Sequence, residues 1–303
     1  MKKRKVYADE VHHVYQRTLH GELIFYSVHD YLVFFTIYCT QARKRGIEVL
    51  ALCPMVDHIH FVLQVENAKQ LSGFTQCYAH LFAWEWNRRR QRKGSLFRHR
   101  YGSAAKRSNK QVRTTLAYCN NNPVERKLAG KAEDYRWTFL AYYDNRNPYS
   151  PPLNPSRAGG KLRRILKEVN LCFEMGYHLR YRQLERWEKQ LTAPEWQQLT
   201  DYIIGLWNVI DYEEAVSYYG SLENMLRAFH DNTGSEYEIR EDRDSDSDAV
   251  YADCTRLLLS EKLVERIGDL PALPHGRKEE LYRLLLQRTS ARPRQLRKYL
   301  HLG

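Results

Sequence analysis

Ten residues, VDHIHFVLQV at positions 56–65, constrain the fold more than any others in the chain. In a β-strand successive side chains alternate between faces. His58 and His60 then share one face, while Ile59, Phe61 and Leu63 share the other and must be buried against a core. The segment therefore demands a sheet with a packed layer behind it. Two imidazoles side by side on a strand are half of a metal site. By itself such a pair is more often solvated or hydrogen-bonded, so the rest of the chain has to decide between these readings.

The flanking pattern supplies the other elements. HHVYQRTL (12–19) reads as a strand, and DYLVFFTIYCTQARKR (30–45) as a helix that stops near Gly46. IEVLALCPMV (47–56) is a buried strand, joined through a tight turn at Asp57 to the histidine strand as a hairpin. A long helix over 69–92, a strand over 96–104 and a helix over 110–121, closed by Asn122-Pro123, complete the order βαββαβα. That order predicts an α+β fold, a ferredoxin-like antiparallel sheet with helices on one face. Residues 144–160 are rich in Pro, Asn and Gly and mark a boundary. The expected organisation is a first domain over 1–145, a helical middle region over 146–235, an acidic linker over 236–249, and a helical region over 250–303. The last part reads as two short helices around a turn. From Arg277 onward it has 8 Lys and Arg against 2 Asp and Glu, as a helix-turn-helix DNA-binding element would. A basic hairpin that merely packs on the body fits equally well.

Charge is distributed unevenly. Residues 1–150 carry 25 Lys and Arg against 12 Asp and Glu, and residues 151–303 carry 23 against 24. The excess positive charge thus lies in the half with the histidine pair. With the many aromatic rings there, it suits a nucleic-acid surface, where phosphates supply affinity and bases stack on rings. Arg88, Arg89, Arg90, Arg92 and Lys93, followed by Arg98, Arg100 and Tyr101, form the expected DNA-contacting stretch, joined by Arg294 and Arg297 in the tail. No apolar run approaches the ~20 residues needed to span a membrane. The six scattered cysteines contain no CxxC pair, and there is no secretory signal, which points to a cytoplasmic, nucleoid-associated protein.

A metal on two histidines needs a further ligand and an open position. Tyr118 and Asn122, in LAYCNNNP, lie four apart and share one helix face. A hydroxyl and an amide oxygen facing two imidazoles suit Mg²⁺ or Mn²⁺, with Tyr118 as an in-line nucleophile on phosphorus. Tyr101 is the chief competitor for that role, and Asn122 before Pro123 has an alternative use as a turn cap. His12 and His13 lie on the first strand, from which they could approach the site, and are not counted among its residues.

Five blocks in order (HHVYQRTL, IFYSVHDYLVFF, ALCPMVDHIHFVLQ, WNRRRQRKGSLFRHRYGS and LAYCNNNPVERKLAGKAEDYRWTFLAYY) resemble the single-tyrosine HUH transposases of the insertion sequence 200/605 type. Within that group the REP-associated tyrosine transposases are the most similar. The resemblance covers residues 12 to about 143. It implies an HUH endonuclease domain with His58 and His60 as metal ligands, Asn122 as the third, amide ligand, and Tyr118 as the nucleophile that leaves a 5′-phosphotyrosine and a 3′-OH. It implies single-stranded DNA, at stem-loop repeats, as the partner, acted on by a monomer or homodimer. Asp57 departs from the Asn usual before the histidine strand, and Cys119 from the usual β-branched residue. A catalytically silent or domesticated stem-loop-binding regulator is the alternative function.

Overall fold

The computed structural model describes residues 6–8, 10–98, 101–231 and 247–302. Its centre is a four-stranded antiparallel sheet in the order β2-β3-β1-β4, built from β1 (Val11–Arg17), β2 (Glu48–Pro54), β3 (His58–Gln64) and β4 (Gly102–Lys106). Helix α1 (Val28–Lys44) joins β1 to β2, and α2 (Ala68–Arg89) joins β3 to β4. Ser27 and Asp30 form a capping box at the start of α1, and Gly46, at φ +58°, lets the chain reverse after it. This is the ferredoxin-like order expected from the sequence.

Ile59, Phe61 and Leu63 face α1 and α2, where they meet Phe34, Tyr38, Phe74 and Tyr78 in the main core. Each fully buried side chain of this size contributes roughly 1.5–3 kcal/mol. The expectation of helices on one face only is corrected here. Helix α3 (Asn109–Glu125) lies across the other face, where Val112, Leu116 and Cys119 pack on Ala51, Cys53 and Val62. The histidine face is covered too, because α3 is itself amphipathic and buries its apolar side partly on this face of the sheet.

Two boundaries also differ. Within the predicted strand over 96–104, the described residues pair at a bridge between Thr18 and Phe97 and again, in regular register, from Gly102. Gly102 lies opposite Tyr15, and a Cβ there would stand 2.2 Å from the tyrosine ring, so only glycine lets β4 approach. Helix α3 does not close at Asn122-Pro123 but continues to Glu125. Proline in the last turn forgoes one helical hydrogen bond, and its ring still fits the helical φ.

Beyond 142, helices α4 (Gly160–Glu174), α5 (Tyr181–Glu188) and α6 (Ala193–Trp207) extend the same core. Trp207 Nε1 donates to Thr40 Oγ1 at 3.2 Å, and Tyr181 Oη donates to Asp30 Oδ1 at 2.7 Å. Short helices α7 (Tyr212–Ser217) and α8 (Leu222–Asp231) lie against α3 through Ala215, Met225 and Phe229. Most of the expected acidic linker falls outside the described residues. Helices α9 (Val250–Ser260), α10 (His275–Arg288) and α11 (Pro293–Leu300) gather around Leu23 and Val56. Tyr26 Oη donates to the Tyr299 carbonyl at 2.6 Å. Among the described residues no helix is long and apolar enough to cross a membrane.

Candidate active site

The register places Tyr15 opposite His60, Arg17 opposite His58, and His13 opposite Val62, so His13, Tyr15, Arg17, His58 and His60 share the α3 face of the sheet. Tyr118, in the middle of α3, meets two of these rings edge-on. Its centroid is 5.4 Å from that of His60 and 5.7 Å from that of His13. Tyr118 is 6 % exposed and His60 is fully buried. The structure thus brings together His58, His60 and Tyr118 across a helix–sheet interface, although they are some 60 residues apart in the chain.

Both imidazoles have Nδ1 engaged. His58 Nδ1 is 2.5 Å from Asp57 Oδ1, and His60 Nδ1 is 3.1 Å from His13 Nε2. The residue that departs from the usual turn asparagine is therefore the hydrogen-bond partner of the first histidine. Burial by itself would raise the Asp57 carboxyl, but His58, Lys298 and Arg126 outweigh it and hold the group below the usual carboxylate range. Burial, followed by the neighbouring His58, Arg17 and Arg126, keeps His60 well below the usual histidine range, hence neutral. A neutral imidazole is the form that binds a metal.

With Nδ1 used in each ring, Nε2 is the donor a cation would take. Asn122 lies one helical turn beyond Tyr118 and is buried. Its Nδ2 donates back to the Tyr118 carbonyl at 2.8 Å, which leaves its Oδ1 as the candidate ligand atom rather than a turn cap. Among the described residues no three His, Cys, Asp or Glu side chains are arranged to hold a metal. A donor set of two imidazole nitrogens and one amide oxygen is compatible with that finding, and its chemistry suits a divalent cation with open positions.

The C-terminal helices reach this site from outside. Lys298 Nζ, on α11, is 3.8 Å from Asp57 Oδ2. The Asp248 backbone N–H donates to the Arg126 carbonyl at 3.0 Å, just past α3. The Asp248 carboxyl is buried beside Asp57, and its Oδ2 has no hydrogen-bond partner among the described residues. Burial and the charge of Asp57 raise this carboxyl to about 6. Nothing in the local sequence pattern points to these neighbours. His13 carried only a faint one: adjacent strands must pair, but His12 and His13 cannot be told apart until the register is known.

The predicted DNA-contacting residues divide. Arg88, Lys93 and Arg98 are exposed, as are Arg294 and Arg297 on α11. Arg90 is not at a surface. Its guanidinium is 2.8 Å from the Asp30 carboxylate and donates to the Gly268 carbonyl at 2.7 Å, in a buried junction of three elements. Arg89 pairs with Glu185 and Asp269, and Arg92 with Glu22 at 3.1 Å, so these two also tie distant segments of the fold together. Their acidic partners lie far away in sequence, which is why a basic run read alone resembles a surface. Arg100 lies outside the described residues. Tyr101 lines a groove of about 510 Å³ with Gln16 and Phe97, on the α2 side of the sheet and away from the histidines.

An antiparallel ferredoxin-like sheet thus carries a histidine pair on the face that meets a helix-borne tyrosine. Residues 6–122 match the family described as IS200-like transposases. The match runs from just before β1 to Asn122, so it includes His13, the histidine pair and Tyr118 and none of the helices from α4 onward. A solved REP-associated tyrosine transposase bound to a REP hairpin is similar over 45 % of this chain and 80 % of its own, at 15 % identity and a TM-score of 0.40. No curated protein matches the chain.

Proposed function

We propose that the protein is a metal-dependent strand transferase that nicks and rejoins single-stranded, hairpin-forming repeat DNA through a 5′-phosphotyrosine at Tyr118. The observation that carries this reading is the edge-on meeting of Tyr118 with His60 at 5.4 Å on a buried polar face. In this reading His58, His60 and Asn122 hold Mg²⁺ or Mn²⁺. When bound, such a cation supplies Lewis-acid polarisation of a non-bridging phosphate oxygen. Tyr118 Oη attacks the scissile phosphorus in line. The new P–O bond to the tyrosine forms as the bond to the 3′ oxygen breaks. The phenol gives up its proton and the leaving oxygen ends as a 3′-OH. Because the phosphotyrosine conserves the ester, a 3′-OH can reverse the step without an added energy source. Arg88, Lys93, Arg98, Arg294 and Arg297 are exposed cations that would meet phosphates in this reading.

The closed setting of Tyr118, 6 % exposed, favours a second reading, a stem-loop-binding regulator without catalysis. Incubation with a labelled single-stranded stem-loop and Mn²⁺ separates the two. The enzyme reading expects a covalent protein–DNA adduct from wild type and none from Tyr118→Phe, with binding retained. Retained binding with no wild-type adduct on any stem-loop substrate selects the regulator.

A further inference from the structure

The hydrogen bond between His13 and His60 joins two side chains that are 2 % and 0 % exposed. The two rings are nearly parallel, 9° apart, with centroids 5.3 Å apart. The Tyr118 ring stands perpendicular to both, at 86° to His13 and 85° to His60. His13 therefore touches the candidate metal ligand through a nitrogen and the candidate nucleophile through its ring. A group present only to fill space would be apolar, because an imidazole in a buried interface costs free energy unless its polar atoms are engaged.

We propose that His13 is a positioning residue for the reaction. It accepts a hydrogen bond from His60 Nδ1–H at its own Nε2, which fixes the His60 tautomer so that Nε2 is the donor to the cation. The same ring, wedged against Tyr118, sets the distance between nucleophile and ligand. This inference rests on the metal-site reading above. It extends to β1 the arrangement that Asp57 makes for His58, so each ligand has its own partner from a different segment. Partners of this kind orient ligating histidines, and their loss typically weakens metal binding by about 10–100-fold.

Two measurements on the intact chain test it. In ¹⁵N-detected imidazole spectra of the metal-free wild type, His60 is expected as the Nδ1–H tautomer, and the Nε2–H tautomer overturns the proposal. Mn²⁺ affinity is then measured by electron paramagnetic resonance in a Tyr118→Phe background, where no chemistry intervenes. His13→Phe is expected to weaken Mn²⁺ by about 10–100-fold. His13→Gln, whose amide oxygen can accept the same bond, is expected to recover most of that loss. Unchanged affinity in His13→Phe, or equal losses in the two variants, overturns the positioning role and leaves the metal site standing. Absence of Mn²⁺ binding in the parent protein overturns both the metal site and this inference. The tautomer measurement needs no variant to fold.

Discussion

The two faces of strand β3 are made of adjacent residues and obey different rules. Ile59, Phe61 and Leu63 face α1 and α2, where burial is favourable in any packed arrangement of suitable volume. His58 and His60 face α3 and are nearly as buried, yet each holds a directional hydrogen bond, to Asp57 and to His13. The first face makes the sheet stable. The second spends stability on orientation, since a buried polar group must be matched atom by atom. The contrast is one of tolerance: the apolar face accepts other apolar residues of similar volume, and the polar face needs each hydrogen-bonding atom matched.

The largest test of that contrast is Phe61→Ala. It removes a fully buried ring between Tyr38 and Phe74 and should destabilise the protein by about 3–5 kcal/mol in urea unfolding. Mn²⁺ affinity of the folded fraction should stay unchanged. A comparable loss of affinity would break the separation of the two faces.

Next is Asp248→Asn, where the C-terminal helices meet the polar face. The Asp248 carboxyl is raised to about 6 from an ordinary value of 3.8, so the folded state binds more protons between those values. Its contribution to stability is therefore lost as pH rises through that window. The substitution should raise stability at pH 7.5 by up to about 3 kcal/mol and leave it nearly unchanged at pH 3.5. Equal effects at the two pH values would show that the carboxylate is not strained by burial.

A smaller effect comes from His60 itself. Its folded value is held well below the ordinary 6.5, so below that pH the unfolded chain binds a proton that the folded chain does not. Stability is fully present above pH 6.5 and falls below it, by at most about 1.4 kcal/mol per pH unit from this group. Urea midpoints between pH 7.5 and 5.5 should show a shallower slope in His60→Gln than in wild type. The smallest effect expected is from Ile59→Val, about 0.5–1.5 kcal/mol with no change in metal affinity. A larger loss would mean that the apolar face also aims the histidines.

Much of the first 125 residues was legible because short-range patterns dictated it. Alternation in 56–65 identified both faces of β3, and the order of elements predicted the sheet. The four-residue spacing puts Tyr118 and Asn122 on one helix face, and the structure places Tyr118 against His60. Other features were not legible, for stated reasons. Arg90 sits in a basic run but is buried against Asp30, sixty residues away. The end of α3 is not legible because Asn-Pro stops most helices, whereas here the proline falls in the last turn.

The sequence alone determined that a strand with two histidines on one face and an apolar back must lie in a packed sheet, and that a helix could offer a tyrosine and an amide together. Local periodicity is enough for this, because side-chain direction follows from backbone geometry. Only the tertiary structure decided that α3 covers the histidine face, that His13 rather than His12 partners His60, and that Lys298 and Asp248 approach Asp57 from the far end of the chain. These depend on strand register and on contacts between distant segments, which are set by the packing of the whole core and leave no periodic trace in the sequence.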